Sequence, residues 1–165
     1  MVSKKVCMIG AFSVGKSALV ERFVRSIFSD RYLSTVGVKI SKKNINLNGT
    51  DLTMVLWDME GKDDFADVHM SYLRGAMGFF TVVDGTRKET LNMALHLRNL
   101  ALETAGDIPH IVLINKSDLP DWEITDERLA ELEASGIRVM KTSAKTGHAV
   151  EEAFLSLAEA MTKGQ

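Results

Sequence analysis

The 165-residue sequence predicts an α/β domain: a mostly parallel six-stranded sheet with one antiparallel edge strand and helices on both faces. Three observations lead there. Short apolar runs alternate along the chain with stretches of helical periodicity, the pattern of strands joined by crossover helices. Two alternating apolar/polar runs meet at Asn48-Gly49, a dipeptide that closes two-residue hairpins and so marks one antiparallel pair. A composition of 45% hydrophobic and 25% charged residues supplies one globular core without repeats, low-complexity tracts or a linker, so residues 1–165 read as a single domain.

The elements follow in order. Residues 4–10 (KKVCMIG) are a short apolar run ending in Gly, suited to a strand buried on both faces. Residues 16–27 carry Leu19, Val20, Phe23, Val24 and Ile27 at helical spacings. Residues 38–47 and 52–57 are the hairpin strands, and Lys39, Lys42 and Lys43 put charge on the first of them, as edge strands do. Residues 78–84 (GFFTVVD) and 110–115 (HIVLIN) are two further buried strands, with a helix over 89–104 between them. A helix over 125–135 is capped by Thr125 and ended by Gly136; a strand over 137–142 and a helix over 150–161 close the chain. Pro109 and Pro120, the only prolines, fall at element boundaries.

The formal net charge of −2 gives no global field toward nucleic acid or anionic lipid. The one cysteine, Cys7, lies inside an apolar run and reads as a buried structural thiol. The N-terminal MVSKK leads into a strand without an apolar leader, and no stretch has bilayer length. The C-terminal MTKGQ carries no prenylation box, and Val2 stands where myristoylation needs Gly. The expectation is a cytoplasmic monomer with no lipid anchor and no nucleic-acid partner.

Residues 10–17 read GAFSVGKS, matching G-x-x-x-x-G-K-[ST]. Glycines at the ends of this loop let backbone N–H groups turn inward around a phosphate chain, and the following helix adds its dipole. Lys16 supplies a point charge for the terminal phosphates, and the Ser17 hydroxyl is placed to ligate Mg²⁺. Roughly one random chain in two hundred would contain the pattern by composition. Here it also stands between a strand and a helix, the context its chemistry requires.

Residues 115–118 (NKSD) and 142–145 (TSAK) each follow a strand. Ligands in open α/β sheets sit beyond the carboxyl ends of the strands, so GAFSVGKS, WDMEG (57–61), NKSD and TSAK share one rim. Asp118 is an acceptor-only carboxylate. Guanine offers it two adjacent donors, N1–H and the 2-amino group, whereas adenine offers an acceptor at N1 and no 2-amino group.

With these motifs in this order the chain resembles the Ras superfamily of small GTPases over nearly its whole length, and STVGVKI (34–40) looks most like the first switch of the Rab branch. The resemblance implies a P-loop NTPase fold, GTP and GDP as ligands and Mg²⁺ as cofactor. It implies that the loop from Ser13 through Val14, Gly15, Lys16 and Ser17 to Ala18 would cradle the phosphates, and that Thr35 would join Ser17 on Mg²⁺ while Asp58 holds it through a water. Thr35 and Gly61 would sense the γ-phosphate; Phe28 would pack against the base and Tyr32 would close over the phosphates. Asn115 would tie the base loop to the phosphate loop, Lys116 would lie along the base, Ala144 N–H would meet the guanine oxygen beside Ser143, and Lys145 would support the ribose side. Effectors, exchange factors and activators would contact residues 28–37 and 58–75.

Two positions depart from the family pattern. Relatives usually carry, after the Gly of the second switch, a Gln that orients the attacking water. Here Lys62 stands there, preceded by Met59 and Glu60. A Lys donates but cannot accept, so it cannot hold water as an amide does. Phe12 occupies a phosphate-loop position where a small residue leaves room for an activator's arginine. Three readings stay open: a GTP/GDP switch with slow intrinsic hydrolysis, a GTP-binding module that hardly turns over, and a GTPase rebuilt around Glu60 as water-orienting group or Lys62 as transition-state cation. His69, His96, His110 and His148 show no metal spacing; Trp57 reads as packed against the second switch, and Trp122, after NKSD, reads as partly exposed with no function assigned.

Overall fold

The computed structural model describes residues 2–25, 38–59 and 70–163. Six strands form one sheet in the order β2-β3-β1-β4-β5-β6: β1 (Val2–Gly10), β2 (Val38–Leu47), β3 (Thr50–Met59), β4 (Gly78–Asp84), β5 (His110–Asn115) and β6 (Val139–Lys141). β2 pairs antiparallel with β3, and every other pair is parallel. The lysine-bearing β2 lies at the sheet edge, as its charge predicts. Asn48 (φ 50°) and Gly49 (φ 90°) make the two-residue turn, closed by the Leu47–Thr50 pair, and Gly49 N–H donates to Asn46 Oδ1 at 3.0 Å.

Helix α1 (Lys16–Arg25) and α4 (Val150–Lys163) cover one face of the sheet; α2 (Glu89–Ala105) and α3 (Asp126–Ala134) cover the other. On the first face Phe154 of α4 stacks on Phe23 of α1 at 4.2 Å and 7°, and Phe80 of β4 tilts against it at 4.7 Å. On the second face Leu97 and Ala101 pack over Cys7, Ile9 and Phe79, while Leu91, Leu129 and Leu132 pack over Val83, Val112 and Ile114. β4 is buried along its whole length, which explains its mostly apolar sequence, broken only by Thr81 and the terminal Asp84.

Some boundaries differ from the sequence expectation. β3 runs two residues past Trp57, to Met59, because β2 continues to pair with it through Val38. β6 is shorter than 137–142, pairing only at Val139, Met140 and Lys141. Thr125 is the N-cap of α3, as the sequence predicts, and its Oγ1 accepts from Arg128 N–H at 3.1 Å. A 3₁₀ turn at Met70–Leu73 has no clear sequence signal; Tyr72 projects from it against Trp57, with ring centroids 5.9 Å apart.

Cys7 is fully buried, and burial pushes its thiol up to about 12 against a smaller opposing effect of Lys5. At that value the thiolate is scarce and the group inert. His110 is likewise a packing residue. Its ring stacks on Phe79 at 4.8 Å and takes a hydrogen bond from Arg98 Nε at 3.1 Å, with burial lowering its pKa.

Phe154→Ala removes the ring that joins α1, α4 and β4. It is expected to cost about 3–5 kcal/mol of unfolding free energy, measured by urea titration, with the slope of the transition unchanged.

Candidate functional site

Five strand ends meet at one rim of the sheet. Gly10 ends β1, Asp58 stands near the end of β3 in register with Met8, Asp84 ends β4 opposite Asn115 of β5, and Thr142 follows β6. β1 lies between β3 and β4, so the chain leaves it first toward one side of the sheet and later toward the other. The loop after β1 therefore opens at the topological switch point, where open α/β sheets hold ligands.

The phosphate loop bends through Ser13 (φ 62°) and Gly15 (φ 101°) before α1 begins at Lys16. A Cβ at Gly15 would lie 2.2 Å from Asn115 Nδ2, so glycine is the only residue that fits there. Val14 is fully buried and anchors the loop, while Phe12 is 37% exposed. Lys16 is buried, and its Nζ donates to the carbonyls of Gly10 at 3.2 Å and Ala11 at 3.1 Å. The ammonium is thus folded back inside the curve of the loop. Leu19 N–H closes the first helical turn on Gly15 O at 2.9 Å.

Ser17 and Asp58, far apart in sequence, are brought together: the Ser17 hydroxyl donates to Asp58 Oδ2. A hydroxyl beside one buried carboxylate is the sparse hard-oxygen set that Mg²⁺ takes when phosphate oxygens and water complete its octahedron. The donor chemistry therefore fits that ion.

On the base side, Asn115 is almost fully buried and its carboxamide uses both ends. Nδ2 donates to Val14 O at 3.0 Å; Oδ1 accepts from Thr142 Oγ1 at 3.2 Å and Ala144 N–H at 3.3 Å. Asp118 is exposed on the rim, and its Oδ1 accepts from the buried Ser143 hydroxyl at 2.7 Å, which orients the carboxylate. Lys116 adopts φ 72° and its Nζ reaches Ser13 O at 3.2 Å. Lys145 is exposed, and the Ala144 and Lys145 carbonyls both accept from Arg22 of α1. Phe28, Tyr32, Thr35, Glu60, Gly61, Lys62 and His69 lie outside the described residues.

Several site residues were not picked out by the motifs. Arg22 fastens the loop after β6 to α1. Trp122, given no function by the sequence, donates from Nε1 to Lys116 O at 3.0 Å. Most important is Asp84, almost fully buried at the end of β4. Its Oδ2 takes Lys116 Nζ at 2.8 Å and Arg87 Nε at 3.0 Å; its Oδ1 takes Thr86 N–H and Oγ1 at 2.9 and 2.7 Å. Burial alone would raise this carboxyl, but the hydrogen bonds from Lys116, Thr86 and Arg87 outweigh it and hold it at about 2, below the usual 3.8. The available signal was an acid closing the otherwise uncharged run GFFTVVD.

A family model described as Ras family matches residues 5–163. The chain is 35% identical over 163 residues to the Ras-related protein Rab-8B of Homo sapiens, covering 96% of this chain and 79% of that protein. It is 34% identical over 163 residues to the Ras-related protein Rab-8 of Diplobatis ommata, covering 96% and 78%. To the Ras-related protein Rab-10 of Caenorhabditis elegans it is 35% identical over 160 residues, covering 95% and 80%. Among the described residues no helix is long and apolar enough to cross a membrane.

The depressed Asp84 pKa sets a sign for acid stability. Its carboxylate stabilises the fold fully above about pH 4, and that contribution is lost as pH falls from about 4 toward 2. Because Lys116 and Arg87 reach solvent, the contribution is kept at about 1 kcal/mol. Chemical denaturation at about pH 5 and again at about pH 2 is expected to show a smaller loss for Asp84→Asn than for wild type.

Proposed function

The chain belongs to the Ras family, and from that premise we propose that it is a GTP/GDP switch whose intrinsic hydrolysis is slow. As a member of that family it binds GTP and GDP with Mg²⁺ and is a GTPase. The observation that carries the reading is the Asn115 carboxamide, which fastens the phosphate loop at Val14 to the guanine-side loop at Ala144. One side chain thereby sets the distance between the phosphate and base ends of a nucleotide.

In the proposed complex the Lys16 ammonium leaves the Gly10 and Ala11 carbonyls for the β- and γ-phosphate oxygens, and the loop N–H groups from Ser13 to Ala18 surround the chain. Ser17 and Asp58, with Thr35, would hold Mg²⁺, which neutralises charge building on the phosphate oxygens. Asp118, held by Ser143, would accept from guanine N1–H and the 2-amino group; Ala144 N–H would meet the guanine oxygen. Lys116 and Lys145 would flank the nucleoside, and Phe28 would pack on the base.

Hydrolysis splits the bond between the γ-phosphorus and the β–γ bridging oxygen, with water supplying the new oxygen, and yields GDP and phosphate. Positioning and electrostatics supply most of the catalysis, so the water-orienting group matters. Lys62 has donors only, and Phe12 would put a partly exposed ring in the phosphate loop where relatives carry a small residue. Both features favour slow turnover; the alternative is a module whose state is set by exchange and partner binding with negligible hydrolysis. Partner contact through 58–75 is supported at its described end. Tyr72 is 40% exposed beside Trp57, whose β2 register partner Ile40 is 50% exposed, and Lys5 Nζ lies 3.8 Å over the Trp57 ring.

Labelled GDP should be displaced by unlabelled GTP and withstand excess ATP, because adenine leaves the Asp118 carboxylate unmatched. Asp118→Asn should shift preference toward xanthine nucleotides, read in the same competition.

Single-turnover hydrolysis should be slow, and Lys62→Gln combined with Phe12→Gly should raise its rate about tenfold or more. If Lys62→Gln and Lys62→Ala both slow the step, Lys62 is a transition-state cation; a large loss in Glu60→Ala would make Glu60 the water-orienting group. A wild-type rate well above that of ordinary small GTPases would overturn the slow-switch reading.

A further inference from the structure

The loop that leaves β4 carries a cation that no nucleotide motif contains. Arg87 follows Asp84 by three residues, and its guanidinium spans two partners. Nε donates to Asp84 Oδ2 at 3.0 Å, and Nη2 donates to Phe12 O at 2.8 Å. Lys116 makes the parallel pair of contacts, Asp84 Oδ2 at 2.8 Å and Ser13 O at 3.2 Å. One buried carboxylate thus gathers two cations, and each cation holds one of two successive carbonyls of the phosphate loop.

The backbone between those carbonyls is the part that most needs holding. Ser13 sits at φ 62°, a left-handed conformation that costs a residue with a Cβ. Fixing the Phe12 and Ser13 carbonyls outward, toward Arg87 and Lys116, leaves the loop's N–H groups to face the nucleotide. The base of the brace is itself fixed. Thr86 binds Asp84 Oδ1, Thr90 Oγ1 accepts from Asp84 N–H at 3.0 Å, and Lys88 N–H donates to Glu123 Oε1 at 2.9 Å.

We propose that Arg87 is a positioning residue for nucleotide retention: with Asp84 it clamps Phe12 O, holds the phosphate loop in its binding conformation and slows nucleotide release. The proposal rests on the guanine-nucleotide reading of the site and adds to it a residue outside the binding motifs. Its consequence is directional. A preformed loop slows dissociation, while association, which depends on encounter at the open rim, stays the same.

The test measures release of a fluorescent GDP from the full chain with Mg²⁺ present, chased by excess unlabelled GDP. Arg87→Ala should raise the release rate about tenfold, the scale of one hydrogen bond made by a charged group. Its association rate should stay at the wild-type value, and its far-UV circular dichroism should match wild type, while its thermal midpoint in saturating GDP falls as a tenfold weaker affinity requires. Arg87→Lys, which keeps the charge but replaces the guanidinium fork with one nitrogen on a shorter side chain, should fall between. Asp84→Asn should release at least as fast as Arg87→Ala, because it leaves Arg87 and Lys116 as unneutralised neighbours. Adding Arg87→Ala to Asp84→Asn should give no further increase.

An Arg87→Ala release rate within about twofold of wild type would overturn the brace, as would increases that multiply in the double variant. Unchanged release with slower single-turnover hydrolysis would also overturn it, and would make Arg87 a group acting on the phosphate itself. Wild-type protein that fails to retain GDP would overturn the nucleotide reading and the brace together, a result separable from the others because it appears before any variant is compared.

Discussion

The Asn115 carboxamide is a single planar group with two donors and an acceptor, and its burial at the end of β5 removes water as an alternative partner. It must therefore bind protein at both ends, and it does: Val14 O on one side, Thr142 Oγ1 and Ala144 N–H on the other. Leaving any of these buried groups unmatched would cost more than the bond itself contributes. That asymmetry makes the joint specific. The phosphate loop, the loop after β5 and the loop after β6 can be satisfied together in only one arrangement. Gly15 is part of the same constraint, because any side chain there would collide with the amide.

Charge is handled by the same economy of partners. The rim gathers Lys16, Arg87 and Lys116 near one another, and such cations repel unless something compensates them. Lys16 is held by loop carbonyls, while Arg87 and Lys116 share the Asp84 carboxylate. In a partly desolvated setting a carboxylate with several donors stays ionised despite burial, which is why Asp84 keeps its charge to unusually low pH. The arrangement gives the Lys16 ammonium carbonyl partners, in a chain whose net charge is −2.

Binding and hydrolysis draw on different parts of this frame. The binding side rests on backbone amides, one amide joint and oriented carboxylates, all set by the sheet and its rim. In the proposed reading, the hydrolysis side would rest on a group that both accepts from and donates to one water, and Lys62 would lack the acceptor. Phe12 adds a partly exposed ring to the loop while its carbonyl is held by Arg87. A chain can therefore keep its nucleotide chemistry while changing how fast that nucleotide is consumed.

The sequence by itself determined the α/β class, the antiparallel edge, the hairpin turn and the loops on the rim. Each of these depends on a local signal: apolar periodicity, Asn48-Gly49, or a glycine-bounded loop before a helix. The ends of β3 and β6 were less legible, because a strand stops where its neighbour stops pairing, and pairing is not local. The tertiary structure alone decided which side chains join across the rim. Arg22 with Ala144, Arg87 with Phe12 and Ser17 with Asp58 are contacts between different elements or loops. No periodicity encodes such contacts, since they depend on the order in which strands lie side by side. Asp84 illustrates the difference: in sequence it is one acid at the end of an apolar run, and only the adjacency of β1, β4 and β5 makes it the anchor of two cations and, through them, of the phosphate loop.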